Sequence, residues 1–477
     1  MAAVEEHRQH YNITLAVLTL AGIAFALQQT MIIPALPQLQ QEFDTTTAWA
    51  TWLLTGFLLS ASVLTPLLGK LGDQYGKERL LLIALGIFFI GSVAAVFAPN
   101  IWVLIACRIV QGAGGAVFPL SFSIIKDEFP PAKIGTAVGV VSAVFGVGGG
   151  LGLVLSGVIL DNLSWRWIFG VGAVAVAIAL VLIYLFVPES PIKTPSRLDV
   201  PGALMLSGGL LSLLLALTEG ERWGWGSTRI VALFVAAAVL LVSWVRFERR
   251  APEPMVDIEM MTRRPVLFAN LTGLLAGFAL FGSFVLIPNF VQTPSRFGYG
   301  FDADALTTGL YLLPSAAVGF FSGPLAGVLG TRYGSKWPLA IGMLMGGIGA
   351  ALLALFHDES WHIVVGMLVL GAGVPMSFAA MAKVIVDSVR QSETGVATGM
   401  NTVMRTVGGV VGGQVGAAIL TAETISGTSI PAESAYTTAF WLATVGSIIA
   451  AASALLVTPL RRSRPRQLEV AAEVARD

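Results

Sequence analysis

The chain has 477 residues, of which 55% are hydrophobic and only 12% are charged, and its mean hydropathy is +0.80. A soluble globular domain carries about a quarter charged residues, so this composition excludes a protein whose whole surface faces water. The 28 basic and 28 acidic side chains balance, which removes any overall case for nucleic acid as a partner.

Fourteen stretches are long and apolar enough to cross a membrane as helices, since one crossing takes about 20 residues. Runs of this length do not alternate as barrel strands must, so we expect an all-α polytopic membrane protein with 14 transmembrane helices. The predicted spans are 13–36, 49–68, 80–98, 101–124, 134–159, 167–187, 199–218, 229–247, 265–291, 305–329, 338–356, 362–382, 395–420 and 436–458.

Lys and Arg are distributed unevenly between the two sides of this predicted membrane protein. If the amino terminus is cytoplasmic, 22 of the 28 fall in cytoplasmic segments, four in external segments and two, Arg108 and Arg405, inside spans. Cytoplasmic loops carry an excess of this kind. We therefore expect a multi-pass protein of the cell (plasma or inner) membrane with both termini cytoplasmic.

The two halves of the chain repeat each other. Segment 65–77 recurs as 323–335 with Pro, Leu, Gly, Leu, Gly, Tyr and Gly in register, and two glycine patterns recur at an offset of 260. Repeats of this size are typical of secondary transporters. The predicted organisation is a six-helix bundle over 1–190, an inserted helix pair over 191–262, a second six-helix bundle over 263–460 and a basic cytoplasmic tail over 461–477.

Segment 69–79, between the second and third spans, carries the first candidate site. We expect its glycines to form a sharp turn between closely packed helices. Asp73 has no apolar role there, and a carboxylate near a helix start interacts with the positive end of the helix dipole and with nearby cations. The candidate residues of this segment are Gly69, Gly72, Asp73, Gly76, Lys77 and Arg79.

Polar residues inside spans form the second set of candidates. Arg108 and Gln111 lie one turn apart on one face of span 4, followed by Gly112, and a charge at membrane depth is a functional hypothesis by default. Snorkelling of Arg108 to the interface is the alternative. No Asp or Glu lies in the interior of any predicted span. The candidates for a substrate cavity are Gln28, Gln29, Asn289, Asn401 and Arg405, with helix–helix hydrogen bonding an equal alternative for the glutamines.

Span 5 contains the glycines Gly139, Gly148, Gly152 and Gly157. Small residues at such spacings let two helix backbones approach closely, so tight helix packing is one interpretation. An exporter motif, described below, is the other.

Three of these patterns resemble motifs of the major facilitator superfamily. Segment 69–79 resembles its signature loop G-x-L-x-D-x-x-G-[RK]-[RK]-x, with Glu78 in place of the usual second base. The R-x-x-Q-G pattern at 108–112 resembles a span-4 motif whose Arg is implicated in proton transfer. Span 5 is similar to the antiporter motif of drug exporters, with Leu153 in place of its Pro and Ser156 in place of one Gly.

Segments 164–169, 198–202 and 223–226 are similar to the fourteen-span drug/proton antiporter (multidrug efflux) group. The resemblance covers essentially the whole chain. It implies two pseudo-symmetric six-helix bundles that segment 69–79 latches on the cytoplasmic side. The second copy has Thr331 in place of Asp73, so we expect only the first copy to act as a full charged latch.

The function that the resemblance implies is export of a small amphipathic molecule by alternating access, with the proton gradient as energy source and no cofactor or metal. Uptake, or a carrier not coupled to protons, is the first alternative. A polytopic lipid-modifying enzyme is the second, but such enzymes need clustered acidic, His or Cys residues that the sequence does not show. We expect a monomer whose partners are the substrate and the lipid bilayer.

Overall fold

The computed structural model describes residues 11–190, 193, 199–426, 428 and 430–457. The predicted basic tail, 461–477, lies outside the described residues. Within the described ranges the regular structure is helical apart from one isolated β-bridge between Thr424 and Pro431.

The helices follow one another with short connections. The first eight are α1 (Tyr11–Thr30), α2 (Ile32–Glu42), α3 (Thr47–Tyr75), α4 (Lys77–Val96), α5 (Ile101–Gln111), α6 (Val117–Glu128), α7 (Pro131–Asn162) and α8 (Arg166–Phe186). The next two are α9 (Val200–Trp223) and α10 (Thr228–Glu248). The others are α11 (Ile258–Thr262), α12 (Arg264–Gln292), α13 (Ala305–Tyr333), α14 (Lys336–Leu355), α15 (Ser360–Ser388), α16 (Thr394–Ala422) and α17 (Glu433–Leu455).

Thirteen helical segments in the described part of the chain are long and apolar enough to span a membrane. The remaining predicted span, 265–291, is the continuous 29-residue helix α12. The predicted all-α polytopic fold is therefore confirmed. Two spans are built from two helices each, α1 with α2 and α5 with α6.

Both interruptions have a local cause. Between α1 and α2, Pro34 has no N–H to continue the helix ladder, and the Ser156 hydroxyl donates a hydrogen bond to the Met31 carbonyl across a distance of 2.6 Å. Between α5 and α6, the glycine-rich sequence Gly112–Ala116 forms a 3-10 turn. A short 3-10 segment tightens the helix where a neighbouring helix, here α3, comes close.

Two groups of helices face each other, with the α9–α10 pair beside them. In the first group α1 packs on α7 and α8, and α4 packs on α8. In the second, α12 packs on α16 and α17, and α14 packs on α15 and α17. The groups meet where α7 contacts α13 and where α3 contacts α16, and α9 packs against both α3 and α16.

We expected the glycines of segment 69–79 to form the turn together, and this prediction is wrong for all of them except Gly76. Helix α3 continues through Tyr75 and α4 begins at Lys77, so the turn consists of Gly76 alone, whose φ is 122°. A residue with a side chain is strained at this φ. Gly69 and Gly72 are helical residues, and they serve close packing rather than the turn.

Candidate transport pathway

A cavity lies between the two helix groups, lined by α1, α3 and α6 on one side and by α15 and α16 on the other. Its empty space amounts to about 580 Å³, part of which is open to solvent. Four phenylalanines supply most of its apolar wall. The lining residues are Phe25, Gln29, Phe57, Leu58, Ala61, Ser62, Thr65, Gly115, Phe118, Phe378, Thr402, Arg405 and Thr406.

Arg405 is the one charged side chain among the described residues that line this cavity. Its guanidinium carbon lies 4.3 Å from the centre of the Phe378 ring, a distance at which a cation is attracted by the ring face. The Thr402 and Thr406 hydroxyls donate to carbonyls of their own helix. The wall therefore combines aromatic surface with one cation, as ligand pockets do with a few polar groups.

Two further polar atoms of the wall have no hydrogen-bond partner in the described part of the chain. They are the Thr65 hydroxyl and the Gln29 carbonyl oxygen. The Thr65 side chain is almost fully buried, with 1% of the residue exposed. A buried polar group without a partner costs free energy, so these atoms are candidate contacts for a ligand.

Arg108 lies behind the cavity wall, inside the first helix group. Its Nε donates to the Leu53 carbonyl at 2.9 Å and its Nη1 to Gln111 Oε1 at 2.7 Å. Its guanidinium carbon lies 4.5 Å from the centre of the Phe57 ring, and Phe57 lines the cavity. Arg108 is fully buried, so the structure contradicts the snorkelling alternative.

A chain of hydrogen bonds extends from Arg108 across the bundle interior. Gln111 Nε2 donates to the Ser92 hydroxyl at 3.0 Å, and that hydroxyl lies 3.0 Å from Gln28 Oε1. Gln28, Ser92, Arg108 and Gln111 are all fully buried. These residues therefore form a continuous polar network, and the role predicted for Arg108 and Gln111 in proton transfer stays a prediction.

Three residues predicted for the cavity lie elsewhere, while Gln29 and Arg405 line it. Gln28 points into the network just described, because neighbouring residues of a helix face directions about 100° apart. Asn401 is buried inside the second helix group, where its amide donates to Asn270 Oδ1 at 3.0 Å. Asn289 is an exposed residue near the end of α12.

At one end of the molecule, called here the latch end, Asp73 connects the two helix groups. Its carboxylate accepts hydrogen bonds from the backbone N–H groups of Gly395 at 3.0 Å and Val396 at 3.2 Å. These are orphan donors at the start of α16, where the helix dipole also favours a negative charge. Asp73 is 1% exposed, so water screens the interaction little.

The close approach of backbones at the latch end depends on glycine. A Cβ atom on Gly395 would lie 2.5 Å from the Gly69 carbonyl oxygen, closer than atoms pack. A Cβ atom on Gly139 of α7 would lie at the same distance from the Gly323 carbonyl oxygen of α13. Gly148 and Gly152 instead face α1, and Gly157 faces Leu306, so the span-5 glycines serve packing on two sides of α7.

Several latch-end contacts were missed by sequence analysis. Lys77 forms a buried ion pair with Asp127, which also accepts a hydrogen bond from Ser190. Glu189 accepts hydrogen bonds from the first backbone N–H groups of α4, including that of Arg79. The sequence did contain one signal for these contacts. Asp127 and Glu189 both lie at the ends of apolar runs, on the same side of the membrane as segment 69–79.

Comparison with known proteins gives a consistent picture. The family described as Major Facilitator Superfamily matches residues 18–413 and 305–476. The tetracenomycin C resistance and export protein of Streptomyces glaucescens is 25% identical over 70% of this chain and 61% of its own length. Multidrug resistance protein 3 of Bacillus subtilis is 29% identical over 71% of this chain and 65% of its own length. The chain thus spans less than two thirds of these two relatives.

A third relative, multidrug resistance protein Stp of Mycobacterium tuberculosis, is 30% identical over 78% of this chain and 68% of its own length. Among solved structures, the human organic anion transporter MFSD10 (TETRAN) aligns with 94% of this chain at a TM-score of 0.66 and 16% identity, and all of that structure is covered. The proton:xylose symporter XylE aligns with 92% of this chain at a TM-score of 0.62 and 17% identity, over 94% of that structure. These structural matches concern the fold.

Proposed function

The chain belongs to the Major Facilitator Superfamily, and we propose that it is a secondary transporter that exports small amphipathic molecules across the cell membrane. The observation that carries this proposal is the cavity between the two helix groups, with aromatic walls and the polar atoms of Thr65, Gln29 and Arg405. An amphipathic molecule matches such a wall, because its apolar part is desolvated while its polar part keeps hydrogen bonds.

Alternating access requires that each end of the cavity can open and close. The latch-end contacts between Asp73 and α16, and between Gly139 and α13, hold the two helix groups together on one side of the cavity. We take the latch end as cytoplasmic, in keeping with the distribution of Lys and Arg. The conformation described is then the one closed to the cytoplasm.

Export and proton coupling rest on similarity and on sequence. The names of all three relatives refer to resistance, and one of them also refers to export. Among the described cavity-lining residues there is no Asp or Glu, so protons would bind at rim acids. Asp161 is exposed at the end of α7, and Glu219 forms a 2.5 Å ion pair with Arg222. We therefore propose antiport with a weak dependence on pH.

Transport into inverted membrane vesicles tests this function. With a naphthalene sulfonate or a naphthalene sulfonamide as probe, we expect accumulation that requires the full-length protein and increases with an acidic vesicle interior. Accumulation that ignores the pH gradient would favour an uncoupled carrier. Depletion of the probe from preloaded vesicles would favour uptake, and no movement of any probe would contradict transport of amphipathic molecules.

A further inference from the structure

We propose that the central cavity selects anionic amphiphiles, with the acidic group of the substrate bound by Arg405 and Thr65. This inference names the substrate class for the transport function proposed above and rests on it. The first observation is the charge of the wall, in which Arg405 is the only charged side chain among the described lining residues. An anion gains a charge-assisted hydrogen bond from a guanidinium, while a cation entering the same space is repelled.

The second observation is the Thr65 hydroxyl. It lines the cavity, lies on a residue that is 1% exposed, and has no hydrogen-bond partner among the described residues. A hydroxyl can donate one hydrogen bond to an anionic oxygen. Thr65 therefore supplies a second donor to the cavity from α3, whereas Arg405 belongs to α16 of the other helix group.

The third observation concerns the aromatic rings, which are the usual means of recognising organic cations. One face of Phe378 is already covered by the Arg405 guanidinium, and one face of Phe57 by that of Arg108. One cation, Arg405, thus belongs to the cavity wall, and a second, Arg108, lies directly behind it. A lipophilic cation would meet aromatic rings that already interact with a guanidinium on one face and that lie next to positive charges. The same rings still offer an apolar surface to the hydrocarbon part of an anion.

Binding to the purified full-length protein in detergent tests this selectivity without any gradient. The probes are naphthalene sulfonate, naphthalene sulfonamide and naphthyl trimethylammonium, which share one ring system and differ in charge. We expect the sulfonate to bind best. Arg405→Met should weaken sulfonate binding by about tenfold or more, the value of a hydrogen bond to a charged group, and should leave the sulfonamide nearly unchanged.

Arg405→Lys, which keeps the charge, should retain the preference for the sulfonate. Thr65→Val, which keeps the shape, should weaken the sulfonate by a smaller factor. Arg250→Met removes an exposed cation outside the cavity and should change nothing. Tighter binding of the trimethylammonium probe by the wild type, or an unchanged preference in Arg405→Met, would overturn the proposal, and the wild-type comparison stands even if Arg405→Met fails to fold.

Vesicle transport of the same probes separates this inference from the proposed function. Sulfonate binding without gradient-driven movement would support the cavity assignment and contradict export. Export of the trimethylammonium probe in preference to the sulfonate would support export and contradict the anion preference.

Discussion

At the scale of single residues, the Asp73 carboxylate is the most directly testable contact between the two helix groups. In Asp73→Asn the charge is lost, and one of the two oxygens that face the start of α16 becomes a donor. Because the site is buried, we expect the loss of the charge at this helix end to cost about 1–2 kcal/mol, the upper part of the range for such charges. We expect the closed latch end to be disfavoured about five- to thirtyfold and export to slow at equal expression.

Thr331→Val is the matched control, because Thr331 occupies the equivalent place in the second repeat. Its hydroxyl donates to the Gly327 carbonyl of its own helix at 2.9 Å, so we expect normal transport. Export by Asp73→Asn at the wild-type rate would count against a latch role for the carboxylate.

Gln28 is the position at which a substitution could place an acidic side chain in the buried network. In Gln28→Glu, a carboxyl group would replace an amide whose oxygen lies 3.0 Å from the Ser92 hydroxyl. Three hydrogen bonds in series, through Ser92 and Gln111, connect this oxygen to Arg108. Burial disfavours the ionised carboxylate while Arg108 favours it, so the group should exchange a proton during the cycle. We expect the export rate to acquire a steep dependence on pH.

The control for this change is Gln28→Met, which has a similar shape and no titratable group. It should lower stability, because the Ser92 hydroxyl loses an acceptor, and leave the pH profile as in the wild type. Superimposable pH profiles for Gln28→Glu and the wild type would show that this position cannot couple protons to transport.

At the scale of elements, helix α14 contains two glycines in opposite surroundings. A Cβ on Gly346 would find its nearest atom at 4.0 Å, the Ser447 hydroxyl, whereas a Cβ on Gly342 would lie 2.5 Å from the Ser377 hydroxyl and 2.7 Å from the Gly373 carbonyl. Gly346→Ala should stabilise the protein by about 0.5–1 kcal/mol, since Gly is entropically costly inside a helix. Gly342→Ala should destabilise it by about 1–3 kcal/mol through overpacking.

Thermal unfolding in detergent measures both changes on the same helix. A raised midpoint for Gly346→Ala and a lowered one for Gly342→Ala are the expected pair. Equal midpoints for the two variants would mean that the packing of α14 against α15 differs from the geometry described.

At the scale of the whole molecule, the spans could be predicted from sequence, but the faces of the helices could not. Each span is a continuous apolar run, so its existence follows from length and composition. Lipid is as apolar as a protein core, so sequence does not distinguish the two sides of a helix. Gln28 and Gln29 illustrate this, because adjacent identical residues face a buried network and the cavity respectively.

The partners of latch-end residues were equally hidden. Asp73 contacts the positive end of α16 at Gly395 and Val396, which lie in the second half of the chain. The repeat indicated two related bundles but carried no information on which pairs of helices meet. Only Thr331, at the equivalent position, signalled that the two copies of the contact would differ.

The last prediction concerns the movement of the two helix groups relative to each other. Gly395→Ala places a methyl group 2.5 Å from the Gly69 carbonyl, and neither backbone can yield without separating α3 from α16. Gly413→Ala, on the same helix, meets nothing within 4 Å and is the control. We expect Gly395→Ala to hold the latch end apart, with export reduced at least as strongly as in Asp73→Asn. Spin labels at Arg79 and Arg332, both exposed, in a chain with Cys107→Ala should then report a longer distance in Gly395→Ala than in Gly413→Ala. Equal distances in the two variants would show that the latch end does not close through this contact.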